Sequence, residues 1–360
     1  MKFGTSVLTG GTRQLDRARM VDLVRQCHEL RERGVELTLC SSGAIAAGQE
    51  RLGIKERPTS LPEKQMLAAV GQSRLMEIWE QLFRLYDIHV GQILLTREDI
   101  GDRHRYLNAR DTMRELLSHG IIPIVNENDA VATAEIKVGD NDVLSALCVL
   151  LAEAELLVIL TDQEGLYTSD PRTDPEAELI PVVDEIDEDV KTVAGGSVSG
   201  LGVGGMETKL EAARIARRAG ATVVIAKGSV KDVILRVASG ERLGTRFPAR
   251  ESPLEGRRRW IFGGAPAAGS IVLDSGAVKA LRSDGGSLLP AGVVDVTGTF
   301  ERGDAVRLVG PSDTELGRGI ARYDSAEVRK IAGHHSDQIK EILGYASSSV
   351  VVHRDDLILL

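Results

Sequence analysis

At 360 residues the chain is long enough for two domains, or one large domain with an appendage. Apolar residues at 42% and charged residues at 27% describe an ordinary globular protein, and aromatics at only 3% call for an aliphatic core. A net charge of -9 and a pI near 5.4 argue against a general nucleic-acid or anionic-membrane binder, so small anionic ligands must be met by specific cations.

Reading from the start, Lys2-Phe3-Gly4-Thr5-Ser6 looks like the end of a strand entering a turn of small residues. Only Met1 precedes it, so an opening strand is expected to be clipped. Apolar runs predict strands over Val35 to Cys40, His89 to Leu94, Ile121 to Val125, Leu156 to Leu160 and Thr222 to Ala226. Apolar residues at three- and four-residue spacing predict helices over Asp16 to Arg33, Glu63 to Tyr86, Arg105 to His119, Asn141 to Ala152 and Met206 to Ala219. The second of these carries Met66, Val70, Leu75, Ile78 and Leu82, which suit a core first and a subunit surface second. This alternation predicts an α/β domain, a three-layer sandwich around a mostly parallel sheet.

Each predicted strand runs at once into polar or glycine-rich residues: Ser41-Ser42-Gly43, Thr96-Arg97, Asn126-Glu127-Asn128-Asp129, Thr161-Asp162-Gln163 and Lys227-Gly228. Open α/β sheets bind ligands at the carboxyl ends of their strands, so one end of this sheet is chemically loaded. Periodicity fades between Arg242 and Arg259, where Pro248, Pro253 and the solvated triplet Arg257-Arg258-Arg259 read as a connection. The expected division is a domain over 1–250, a linker over 251–266 and a small β-rich domain over 267–360. Strands are predicted in the last at Ser270 to Asp274, Gly292 to Phe300, Asp304 to Val309, Gly317 to Tyr323 and Ser349 to Leu359.

Cys27, Cys40 and Cys148 are odd in number, far apart and without metal-ligand spacing, and they read as reduced core thiols. No apolar secretion segment opens the chain, and the longest apolar stretch, Val143 to Leu160, is broken by Glu153 and Glu155. A cytoplasmic protein without a membrane segment is expected. Adjacent residues such as His334 and His335 point about 100° apart on a helix and make poor joint ligands.

The densest chemistry lies in Val125-Asn126-Glu127-Asn128-Asp129-Ala130 and Ile136-Lys137-Val138-Gly139-Asp140-Asn141-Asp142. So many like charges need cations, water or a ligand with compensating groups, although a polar loop capping a helix has a similar composition. Gly200-Leu201-Gly202-Val203-Gly204-Gly205 formally satisfies the dinucleotide fingerprint. No convincing strand precedes it and Lys227 stands where an acid would end the following strand, so that reading fails. A glycine loop entering a helix near Met206, with Lys209 in its first turn, instead suits a polyphosphate or a plain surface loop. Two lysines, Lys2 and Lys209, with acids and amides and no evident nucleophile fit phosphoryl transfer, which depends on positioning and charge stabilisation.

Taken together, Lys2 to Ser6, Cys40 to Gly48, Asn126 to Thr133, Lys137 to Asp142 and Gly204 to Lys209 resemble the glutamate 5-kinase family, enzymes of the amino-acid-kinase fold followed by a PUA domain. Gly285 to Gly292 and Gly317 to Tyr323 are similar to PUA signatures. The resemblance implies ATP-dependent phosphorylation of the side-chain carboxylate of L-glutamate, opening proline synthesis. It places Lys2 and Lys209 on the transferring phosphoryl group, oriented by Asp142. It puts Ser42, Asp129 and Asn141 on the amino acid, with Asn126 and Asp140 as neighbours. Lys2, Thr161, Asp162 and the run Val203, Gly204, Gly205, Met206, Glu207, Thr208 and Lys209 fall on the nucleotide site. Val203 and Glu207 stand where small hydroxyl residues are expected, and Glu207 is expected to face solvent. Mg²⁺ is implied on the nucleotide phosphates and water, without protein ligands. A homo-oligomer, feedback inhibition by proline and hand-over to a glutamyl phosphate reductase are also implied.

Two other readings compete. A PUA domain suggests RNA binding or modification, but residues 267–360 carry ten Lys/Arg against thirteen Asp/Glu, a poor footprint for RNA. A sister kinase would act on acetylglutamate, aspartate or a nucleoside monophosphate. An acylated amine has no use for Asp129 as an ammonium partner, which favours a free amino acid.

Overall fold

The computed structural model describes residues 1–132, 141–195, 205–250 and 267–360. The chain divides into two compact units, Met1–Gly101 with Asn108–Pro253, and Asp102–Leu107 with Leu254–Leu360.

The first unit is built on strands β1 (Lys2–Phe3), β2 (Leu39–Ser41), β3 (Val90–Leu95), β4 (Ile122–Glu127), β5 (Leu156–Thr161), β6 (Thr222–Lys227) and β7 (Thr245–Phe247). They form one sheet in the order β3-β4-β2-β1-β5-β6-β7, parallel throughout except for β7, which runs antiparallel to β6. Its helices are α1 (Thr5–Thr9), α2 (Arg17–Glu32), α3 (Ala44–Leu52), α4 (Leu61–Arg84), α5 (Arg97–Gly101), most of α6 (Arg103–Ser118), α7 (Asn141–Ala152), α8 (Glu188–Gly195), α9 (Met206–Arg218) and α10 (Val233–Ala238). Strand alternation distributes them over both faces. Val158, Leu160, Val224 and Ala226 pack with α2, α3, α4 and α10, while Leu157, Ile159, Val223 and Ile225 pack with α7, α8 and α9. This is the three-layer sandwich.

Strands β4, β5 and β6 each extend one or two residues into the polar ends that follow their apolar runs, because ladder hydrogen bonds are indifferent to side-chain polarity. Val35 is not in a strand. The left-handed Gly34 (φ 79°) and the Val35 N–H, which donates to Leu30 O, instead close the end of α2. Thr245–Phe247, within the stretch read as a connection, is a strand with Phe247 fully buried. The core is not purely aliphatic either. The few aromatics are concentrated inside: Phe3 stacks on Trp79 at 5.8 Å, Trp79 lies 6.0 Å from Phe83, and all three are buried. All three cysteines are buried and none forms a disulfide among the described residues.

Helix α4 starts with a capping box between Ser60 and Glu63 and buries Leu67, Ala68, Gly71, Leu75, Ile78, Trp79 and Phe83. Met66 is exposed, and Val70 and Leu82 are half-buried. Its contact with α3 is unusually close. A Cβ on Gly71 would lie 1.8 Å from Ala44 O, and one on Gly48 would lie 2.0 Å from Leu67 O, so only glycine fits at either place.

The second unit holds β8 (Gly269–Leu273), β9 (Val293–Gly298), β10 (Ala305–Val309), β11 (Glu315–Ala321) and β12 (Val352–Leu359) in the order β12-β11-β10-β8-β9. Helices α11 (Ser275–Asp284), α12 (Ser325–Ile331) and α13 (Ile339–Leu343) accompany them. Tyr323, Phe300 and aliphatic residues from the strands form its core. Arg322, just after β11, is buried and bonds Asp356 of β12 at 2.8 Å, so it is not a surface cation. Arg318 pairs with Glu315 at 3.0 Å.

Candidate active site

Strand β1 lies in the middle of the sheet, where the order reverses between β2 and β5, and this is where open α/β sheets form a ligand crevice. Lys2 is on that strand and is only 6% exposed. Its Nζ lies 2.6 Å from Asp142 Oδ1, and Lys209 Nζ from the first turn of α9 lies 3.1 Å from Asp142 Oδ2. Asp142, in the first turn of α7, is 1% exposed. Burial alone would raise its carboxyl, but the charges of Lys2 and Lys209, with hydrogen bonds from Lys2 and Thr208, hold it well below the usual carboxylate range. Two ammonium groups thus share one buried carboxylate. The sequence reading of Lys2, Asp142 and Lys209 as one unit agrees with this geometry.

Thr208 was grouped with the nucleotide loop, yet its Oγ1 is 2.8 Å from Asp142 Oδ2 and 2.9 Å from Gly205 O, so its single proton steadies the lysine-orienting carboxylate or the helix start. Lys209 Nζ also approaches Gly205 O at 3.4 Å. Gly205 caps α9 without a side-chain hydrogen bond, so the first amides of the helix meet no capping side chain among the described residues and suit an anion. The Met206 side chain is in the core, so only its backbone serves the loop, and Glu207 is exposed as expected. Thr161 closes β5, beside β1, and donates to Asp162 Oδ1 at 3.0 Å.

A second set of side chains joins four elements. Asn141 Nδ2, at the start of α7, donates to Ser42 Oγ at 2.9 Å and to Asn126 Oδ1 at 2.8 Å. Asn126, on β4, donates through Nδ2 to Gln72 Oε1 of α4 at 2.8 Å. Ser42, Asn126 and Asn141 are therefore brought together. Asp129 lies apart from that chain, on the wall of a pocket of about 260 Å³ that Gln72 also lines. Burial pushes the Asp129 carboxyl up to about 6. Gln72 escaped sequence reasoning. Its one signal was an amide beside Gly71 at the border of an otherwise apolar helical stripe. Lys137, Asp140, Val203 and Gly204 lie outside the described residues.

Among the described residues no group of three or more His, Cys, Asp or Glu could hold a metal ion, and no helix is long and apolar enough to cross a membrane.

The Amino acid kinase family model matches residues 1–227, and the PUA domain model matches residues 269–343. A glutamate 5-kinase of Yersinia enterocolitica is 58% identical over 99% of this chain and 97% of its own. Those of Serratia marcescens and Salmonella paratyphi B are 58% and 57% identical at the same coverage. An isopentenyl phosphate kinase of T. acidophilum, solved as a product complex, aligns over 68% of this chain and 97% of its own at 14% identity and a TM-score of 0.46, a likeness too distant to bear on the site. With a central parallel sheet, a lysine-carboxylate-lysine cluster at its switch point and relatives matched from end to end, the chain belongs to the amino acid kinase family, among the glutamate 5-kinases that carry a PUA domain.

Proposed function

We propose that this chain transfers the γ-phosphoryl group of ATP to the side-chain carboxylate of L-glutamate, giving L-glutamyl 5-phosphate, the first step of proline biosynthesis. The observation that carries the reading is the buried Lys2–Asp142–Lys209 cluster, set beside an amide chain and a half-buried acid.

A carboxylate acceptor is already ionised at neutral pH, so the reaction needs no general base. Its obstacle is an anion approaching a polyanion. Lys2 and Lys209 neutralise the charge that builds on the transferring group, and Asp142 holds both ammonium groups in place. The open amides after Gly205 take phosphate oxygens, with Thr161 and Asp162 on the nucleotide side. Ser42, Asn126 and Asn141 hold the amino acid, and Asp129 takes its ammonium group. Mg²⁺ would be carried on the nucleotide phosphates and water, where it would offset their charge.

Kinship rather than geometry supports the rest of the reading: a cytoplasmic homo-oligomer, inhibited by proline, that supplies a glutamyl phosphate reductase. The catalytic domain covers residues 1–250 and the PUA-like domain 267–360, joined through 251–266. RNA binding is disfavoured by the acidic balance of the second domain and by the burial of Arg322.

Incubation with ATP, Mg²⁺ and hydroxylamine against a panel of amino acids tests the assignment. Glutamyl hydroxamate is expected. Hydroxamate from aspartate but not from glutamate overturns it.

A further inference from the structure

The amide chain from Ser42 to Gln72 has one direction, and a single backbone group sets it. The Glu127 N–H can only donate, and it lies 2.9 Å from Asn126 Oδ1, which identifies that atom as the oxygen of the amide. Asn141, facing the same oxygen at 2.8 Å, must present Nδ2. Asn126 Nδ2 is then the atom that faces Gln72, so the near atom of Gln72, 2.8 Å away, must be Oε1. Every amide orientation follows from one peptide N–H.

The consequence appears at the far end. Gln72 Nε2 is turned away from Asn126, is buried, and makes no hydrogen bond among the described residues. A buried donor without an acceptor calls for a ligand or water. Gln72 lines the 260 Å³ pocket together with Asp129, Glu127 and Asn128. Two carboxylates on this wall suit an ammonium group and would repel an α-carboxylate. A fixed N–H donor beside them removes that conflict for a zwitterion.

We propose that Gln72 is a substrate-binding residue whose Nε2 donates to the α-carboxylate of the bound amino acid, next to the site where Asp129 takes the ammonium group. This rests on the glutamate kinase reading, in which the side-chain carboxylate is committed to the Lys2 and Lys209 end and the α-carboxylate is left for the pocket.

Gln72→Glu separates contact from support. The substituted carboxylate still accepts from Asn126 Nδ2, but it presents an acceptor to the substrate where a donor stood. Gln72→Met removes both functions at similar volume. Hydroxamate kinetics are expected to show the glutamate KM rising about tenfold or more in Gln72→Met and further in Gln72→Glu, while the ATP KM stays within about twofold. A glutamate KM within about twofold of the unsubstituted chain in a normally melting Gln72→Glu variant overturns the proposal, because Gln72 would then only support Asn126. If Gln72→Glu fails to fold, an unchanged glutamate KM in Gln72→Met overturns it equally. Failure of the unsubstituted chain to form glutamyl hydroxamate would retire the underlying reading instead, so the two failures are distinguishable.

Discussion

Among the described residues two carboxylates are sealed inside, one in each compact unit, and their company differs. Asp356 is 0% exposed and meets one guanidinium among the described residues, that of Arg322 at 2.8 Å. Asp142 is 1% exposed and meets two ammonium groups, at 2.6 and 3.1 Å. The first arrangement joins a loop to a strand. The second sets two ammonium groups on one carboxylate, an arrangement that attracts an incoming anion, at the carboxyl end of a parallel sheet. Burial of an ion pair does not distinguish structure from function. The place of the pair in the fold does.

The largest effect that sharpens this contrast is on stability. Arg322→Met leaves Asp356 without its guanidinium and is expected to cost about 3–5 kcal/mol in denaturant unfolding of the second unit, with turnover unchanged. Turnover lost at full stability would make the pair functional and erase the difference. In the other cluster, Lys209→Ala is expected to raise the barrier by about 3 kcal/mol, a loss of a hundredfold or more in kcat, while glutamate binding persists. Unchanged turnover would remove Lys209 from the mechanism.

A pH profile probes Asp129, the acid that meets no such cations among the described residues. Asp129 ionises near 6 in the folded chain, so the glutamate KM is expected to rise about tenfold per pH unit below that value, and to become flat and high in Asp129→Asn. The sign for stability is opposite to that of Asp142. A carboxyl raised by burial contributes stability below its unfolded value near 3.8, and that contribution is lost as pH rises through about 6. The depressed carboxyl of Asp142 instead contributes above its unfolded value, and that contribution is lost in acid. The smallest effect is expected from Glu207→Ala: its side chain faces solvent, and kcat/KM should stay within about twofold. A larger change would draw Glu207 back into the nucleotide loop.

Much of this arrangement was legible in the sequence because its signals are local. Asn141 to Ala152 is helical from its first residue to its last, and the lysines at positions 2 and 209 stand in motifs read at sight. What escaped depends on partners far along the chain. Strand β7 is only three residues long and exists because β6 offers it an edge, while Phe247 fills a core that no local pattern announces. Asn126 was read as following a strand, yet it is part of β4, and that placement aims its amide at Gln72, 54 residues earlier. Thr208 was read as part of the nucleotide loop, and its hydrogen bond to Asp142, 66 residues away, is a contact that only the fold brings about.

The closeness of α3 and α4 gives the site a further property. Ser42 stands two residues before α3 and Gln72 stands one residue after Gly71, so the two ends of the amide chain ride on helices whose main chains touch through Gly48 and Gly71. Main chain against main chain is the least adjustable contact available, since there is no side chain to repack. On the proposed reading the site works as a fixed gauge. An amino acid one methylene shorter than glutamate leaves one end of the gauge unmet, because the helices cannot draw together to follow it.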